Sequence, residues 1–124
     1  VDEKGFGIIR SKGDQALFRL TTQQLKKKMQ VPDGRPVADF LPTISIKAKD
    51  LAAEMTSLNV QNKNLKGHNP IEMEHVDNNI AVRDVLTKRG IVPENLPPAE
   101  DVKKVQRKLA SDGKQVLKDT RKKK

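Results

Sequence analysis

The residues with the best types and spacing for chemistry are His68, Glu72 and His75. Glu72-x-x-His75 has the i, i+3 spacing by which helices of di-iron bundles present a carboxylate and an imidazole to one metal, and His68 lies one turn upstream. A metal centre needs more ligands than this. The chain has no second Glu-x-x-His and no cysteine. On a helical projection His75 also falls among Ile71, Val82 and Leu86, so its leading reading is a packing histidine. Ser11, Ser45, Ser57 and Ser111 are available as nucleophiles, but none stands in an elbow motif or beside a paired base. The Gly5-Phe6-Gly7 to Gly13-Asp14 stretch lacks the Gly-Lys-Ser/Thr order of a phosphate-binding loop. The expectation is a protein without enzymatic activity, metal or cofactor.

Charge is the other chemical resource. The 124 residues carry a formal +9, unevenly distributed: residues 1–50 hold 10 basic and 6 acidic side chains, residues 51–100 hold 5 and 7, and residues 101–124 hold 10 and 3. Lysine and arginine suffice to hold phosphates, and candidate contacts are Arg10, Lys12, Lys26, Lys27, Arg35, Lys103, Lys104, Arg107 and Lys108. The last four occupy two sides of one expected helix, where they either cover a groove edge or keep the helix solvated. The closing Arg121-Lys122-Lys123-Lys124 run reads as a solvated, frayed tail or a phosphate-binding arm. Aromatics are only 2%, with no Trp or Tyr, which counts against stacking of single-stranded bases.

The elements that must position these groups follow from periodicity. Apolar residues are 35% and mean hydropathy is −0.70, so the core is small and aliphatic. Residues 5–14 read as a loop or short helical piece and Gln15–Leu20 as one helical turn. Thr21-Thr22-Gln23-Gln24 has the form of a capping box opening a helix to about Met29. Pro32-Asp33-Gly34 is a turn, and Pro36 starts a short helix through Phe40. Ile44, Ala48, Leu51, Met55 and Leu58 form one stripe down a helix of about twenty residues. That stripe is expected to pack on other helices of the chain, with a coiled-coil seam as the alternative. Asn59–Gly67 reads as a break. Asn69-Pro70 then begins a helix to Arg89, closed by Gly90, with apolar side chains on two faces. This helix is expected to be central. After the Ile91–Pro98 connector, Val102, Val105 and Leu109 mark a last helix beginning at Pro98.

Several strings resemble the C-terminal region of the bacterial DNA-damage-inducible protein D family. They are Ile9-Arg10-Ser11-Lys12-Gly13-Asp14-Gln15-Ala16-Leu17-Phe18, Arg35-Pro36-Val37-Ala38-Asp39-Phe40-Leu41-Pro42, Lys47-Ala48-Lys49-Asp50-Leu51-Ala52, Glu74-His75-Val76 with Val82-Arg83, and Gly90-Ile91-Val92-Pro93-Glu94-Asn95-Leu96-Pro97. Together they span about residues 5–110. Phe18-Arg19-Leu20 departs from the family's Gly-rich turn after the Phe. The resemblance implies a role in the bacterial DNA-damage response and brings no catalytic residues. It also implies an N-terminal BRO-type domain in cis, absent from this chain. Arg10, Lys12, Asp14, His75 and Arg83 are the polar positions within its motifs, and Arg83 has the simpler reading of a helix-surface partner for Glu72 or Asp84.

The sequence therefore predicts an all-α, irregular or orthogonal bundle of four to six helices. Residues 1–112 form one helical domain and 113–124 a basic tail. The function expected is a regulatory one, binding DNA or a DNA-bound repair or recombination protein; the alternative is a protein-interaction or oligomerisation module. The state expected is a monomer or weak dimer, with a cytoplasmic location and no membrane span.

Overall fold

Asp2 opens the chain's first helix. Its carboxylate accepts the backbone N–H of Gly5 at 2.8 Å, and α1 then runs from Glu3 to Phe18. Residues 2–99 are described by the computed structural model; Val1 and residues 100–124 are not. The expected helix from Pro98 onward and the basic tail lie outside the described residues. α2 spans Thr22–Lys28, α3 Thr43–Asn62 and α4 His68–Lys88, with 3-10 turns at Val37–Phe40 and Pro93–Asn95. The described residues contain no strand.

In place of the expected loop or short helical piece at residues 5–14, α1 is one continuous helix that takes in the whole stretch. Each glycine inside a helix costs about 1 kcal/mol relative to Ala, so Gly5, Gly7 and Gly13 read locally as a helix-poor segment. Tertiary packing overrides that propensity: Gly5, Ile9, Gly13, Leu17 and Phe18 form the buried face of α1. The capping box of α2 is present, with Gln24 N–H donating to Thr21 Oγ1 at 3.2 Å and Thr21 N–H donating to Gln24 Oε1 at 2.9 Å.

α2, α3 and α4 end alike. The first residue past each cap takes a positive φ, and the next returns its N–H to the helix: Val31 to Lys26 O, Leu65 to Val60 O and Ile91 to Leu86 O, at 2.9–3.0 Å. The positive-φ residues are Gln30, Asn64 and Gly90. Only the last was legible, because Gly is the residue that adopts this conformation without steric cost.

α4 is the central helix, packed against α1 on one side and α3 on the other. The core comprises Leu17 and Phe18 of α1, Leu25 and Met29 of the α2 region, Val37, Leu41, Ala48 and Ala52, and Val82 of α4. α3 departs from its expected role. Its buried residues are Ser45, Ala48, Ala52 and Thr56, whereas Ile44, Leu51 and Leu58 of the predicted stripe are 40%, 54% and 58% exposed. Small residues let α3 approach α4 closely, which rotates the larger side chains of the stripe to the edge of the contact.

Candidate functional site

The buried faces of α3 and α4 meet through polar groups. Thr56 Oγ1 donates to Ala52 O at 2.8 Å, which commits its single proton. The same oxygen accepts from Asn78 Nδ2 at 3.0 Å and lies 2.9 Å from His75 Nδ1. His75 Nδ1 therefore carries a proton and donates, leaving Nε2 as the acceptor, 3.4 Å from Asn79 Nδ2. Asn79 also donates to His75 O at 2.9 Å. Burial pushes the His75 pKa down; Asp14 acts against this and Lys49 with it. The imidazole is neutral at pH 7.

Immediately before His75 on α4, Glu74 is buried and receives Lys63 Nζ at 2.7 Å and Asn59 Nδ2 at 3.2 Å. The Lys63 hydrogen bond outweighs burial and holds the Glu74 carboxyl below its usual range. Glu72 is turned elsewhere and pairs with His68 at 3.2 Å. The helical spacing of Glu72 and His75 thus does not bring them together: one faces the surface turn and the other the α3 interface. Among the described residues no group of three or more His, Asp or Glu is placed to hold a metal.

Beside this polar layer opens a cleft of about 610 Å³. His75 and Asn79 line it together with Arg10 and Asp14 of α1 and Lys49 and Asp50 of α3. Asp14 is paired with Lys49 at 3.3 Å, which ties α1 to α3. Two cations and two carboxylates leave the cleft balanced in charge, without the field that would concentrate an anion.

The sequence-selected cations are dispersed. Arg10 borders the cleft, while Lys12 lies on another groove with Arg19, Val76 and Ile80. Lys26 and Lys27 line a hollow at the end of α2. Arg35 bonds Asp39 at 2.8 Å and lies over the Phe40 ring, 5.5 Å from its centroid. Arg83 is turned inward, donating to Leu17 O at 2.8 Å and, through both Nη atoms, to Glu94 at 2.6 and 2.8 Å. Its partner is thus Glu94 and not Glu72 or Asp84. This bond holds the Glu94 carboxyl below, and the Arg83 guanidinium above, their ordinary values. Lys103, Lys104, Arg107 and Lys108 lie outside the described residues.

Sequence reading missed Lys49, Thr56, Asn59, Asn78 and Asn79. Polar residues at helical spacing look the same whether they face water or each other, and only their placement on the faces that carry Ala52 and Val82 would have marked them.

Taken together, the described residues form an all-helical bundle that wraps one central helix, with a polar layer and a balanced cleft on its α3 side. The chain belongs to the DinD C-terminal domain family, whose model matches residues 1–105, and is therefore a domain of a DNA-damage-inducible protein. No curated protein and no solved structure is significantly similar to it. Among the described residues no helix is long and apolar enough to cross a membrane.

Proposed function

We propose that this chain is a non-enzymatic accessory domain of the bacterial DNA-damage response that holds nucleic-acid phosphates through residues 101–124, with Lys103, Lys104, Arg107 and Lys108 as its main contacts. The observation that carries this reading is the division of charge. Residues 2–99 hold 15 basic and 12 acidic side chains, and Arg35, Lys49, Lys63 and Arg83 are each paired with a carboxylate. Residues 101–124 hold 10 basic and 3 acidic side chains. Net positive charge is therefore concentrated in residues 101–124. Arg10, Lys12, Lys26 and Lys27 have no acidic partner among the described residues but lie on three separate surfaces.

Fluorescence anisotropy of labelled duplex and single strands tests this. An interface of at least four phosphate contacts loses about 100-fold in affinity between about 50 and 200 mM salt. Failure to bind either strand form at the lower salt removes the proposal.

A second reading, a protein-docking module without direct DNA contact, is favoured by a separate surface. Ile8 of α1 and Met73 and Ile80 of α4 are 42%, 65% and 38% exposed, and Lys12 and Arg19 lie on the groove that Ile80 lines. Apolar surface rimmed by charge is characteristic of a partner site. Sedimentation over a concentration series separates self-association from a surface reserved for another protein.

A further inference from the structure

Ile44, Lys47, Ala48 and Leu51 of α3 line an apolar groove of about 310 Å³ together with Ala81 and Val85 of α4. Leu58, seven residues beyond Leu51 on the same helix, lies outside that groove and is exposed. We propose that the occupant of the groove is a second copy of this chain: two α3 helices pair antiparallel about a two-fold axis at Leu51, and Leu58 of each copy seats in the groove of the other.

Two observations select this occupant. First, one face carries both halves of the contact. Ile44, Leu51 and Leu58 recur every seven residues, so Leu51 is the midpoint of a row about 21 Å long. A two-fold axis at that midpoint sets Leu51 against its own equivalent and Ile44 against Leu58 of the second copy. The groove flanks Ile44 and Leu51, and Leu58 is the exposed apolar side chain that the same symmetry brings to it.

Second, the charges on this face complement themselves. Lys47 and Glu54 are exposed, and at 100° per residue they share an arc of about 80° with Ile44, Leu51 and Leu58. Neither has an ion-pair partner among the described residues. They stand four residues before and three after Leu51, so the axis sets Lys47 of each copy beside Glu54 of the other and two ion pairs form. A parallel, in-register pairing would set Lys47 against Lys47 and Glu54 against Glu54, which like-charge repulsion disfavours. Asp50 and Ala53 line the cleft on the α1 side, away from this contact.

A single helix pair of this length is small beside the roughly 800 Å² per partner of a standard interface, so association is expected on the order of 100 µM. The pairing is independent of the phosphate-binding reading, because residues 101–124 take no part in it.

Sedimentation equilibrium of the full chain without DNA, from about 10 µM to about 1 mM, tests the proposal, and a monomer–dimer equilibrium is expected. Leu51→Asp sets two carboxylates against each other at the axis and should weaken the dimer at least about tenfold. Lys47→Glu and Glu54→Lys, both at exposed positions, should each weaken it about tenfold, and combining them should restore it. A chain that stays monomeric throughout overturns the proposal and leaves the groove to a different protein. So does a dimer that persists in Leu51→Asp, which assigns association to another surface, such as that of Met73 and Ile80. A combined variant no tighter than the single ones overturns the antiparallel register and the proposal with it.

Discussion

Gly13 of α1 lies directly against the imidazole of His75 on α4: a β-carbon on residue 13 would stand 2.4 Å from both Cδ2 and Nε2, and 2.8 Å from Asn79 Nδ2. The ring cannot withdraw without giving up Thr56. Gly13→Ala is therefore expected to destabilise the fold by about 1–3 kcal/mol despite the better helix propensity of Ala. Gly7 has open space at the same point of its backbone, and Gly7→Ala should stabilise by about 0.5–1 kcal/mol. Urea denaturation of the two variants checks both signs.

The neutral state of His75 makes stability depend on pH. Its folded pKa lies below the unfolded value of about 6.5, so the unfolded chain binds the proton more tightly. Stability should start to fall as pH drops below about 6.5. Glu74 and Glu94 act in a lower window. Their folded pKa values are depressed, so the stability they supply is present above about 4.5 and is lost as pH falls further. Denaturation midpoints from pH 8 to 3 should show both phases, and His75→Gln should remove the first alone.

Arg83 joins three parts of the chain, α4, the end of α1 and the Pro93–Asn95 turn. Its side chain is 13% exposed and that of Glu94 is 17%. Arg83→Ala leaves a largely buried carboxylate and Leu17 O without their donor, at a cost of about 2–3 kcal/mol. Arg83→Lys keeps the charge and loses the two-pronged geometry, and about 1–2 kcal/mol is expected. Thermal unfolding of the two variants tests this ranking.

Ser45 is 1% exposed and its hydroxyl has no hydrogen-bond partner among the described residues. Replacement by Ala removes an unsatisfied buried group at a helical position, so Ser45→Ala should stabilise the protein by about 1 kcal/mol. Guanidinium denaturation measures it.

Much of the helical scaffold was legible because local signals agree with the final structure. Thr21 and Gln24 announce a cap, Gly90 announces a helix end, and apolar residues on two faces announce that α4 is central. The signals fail where tertiary contacts override local preference. Gly13 disfavours a helix locally, yet the approach of His75 requires the absence of a β-carbon there. The α3 stripe misleads because small residues, Ala48 and Ala52, take the buried position and leave Ile44 and Leu51 at the edge. The site residues were the least legible. Thr56, Asn78 and Asn79 acquire meaning only when two helices meet, and Arg83 finds its partner eleven residues away in a connector.

The central claim, that the basic side chains of residues 101–124 contact phosphates, is tested most directly by the salt dependence of duplex binding. The full chain is compared with a variant carrying Lys103→Gln, Lys104→Gln, Arg107→Gln and Lys108→Gln. Each phosphate contact contributes about 0.9 to the slope of log affinity against log salt, so the variant should be shallower by about 3.6 and weaker at low salt. An unchanged slope and affinity would contradict the account.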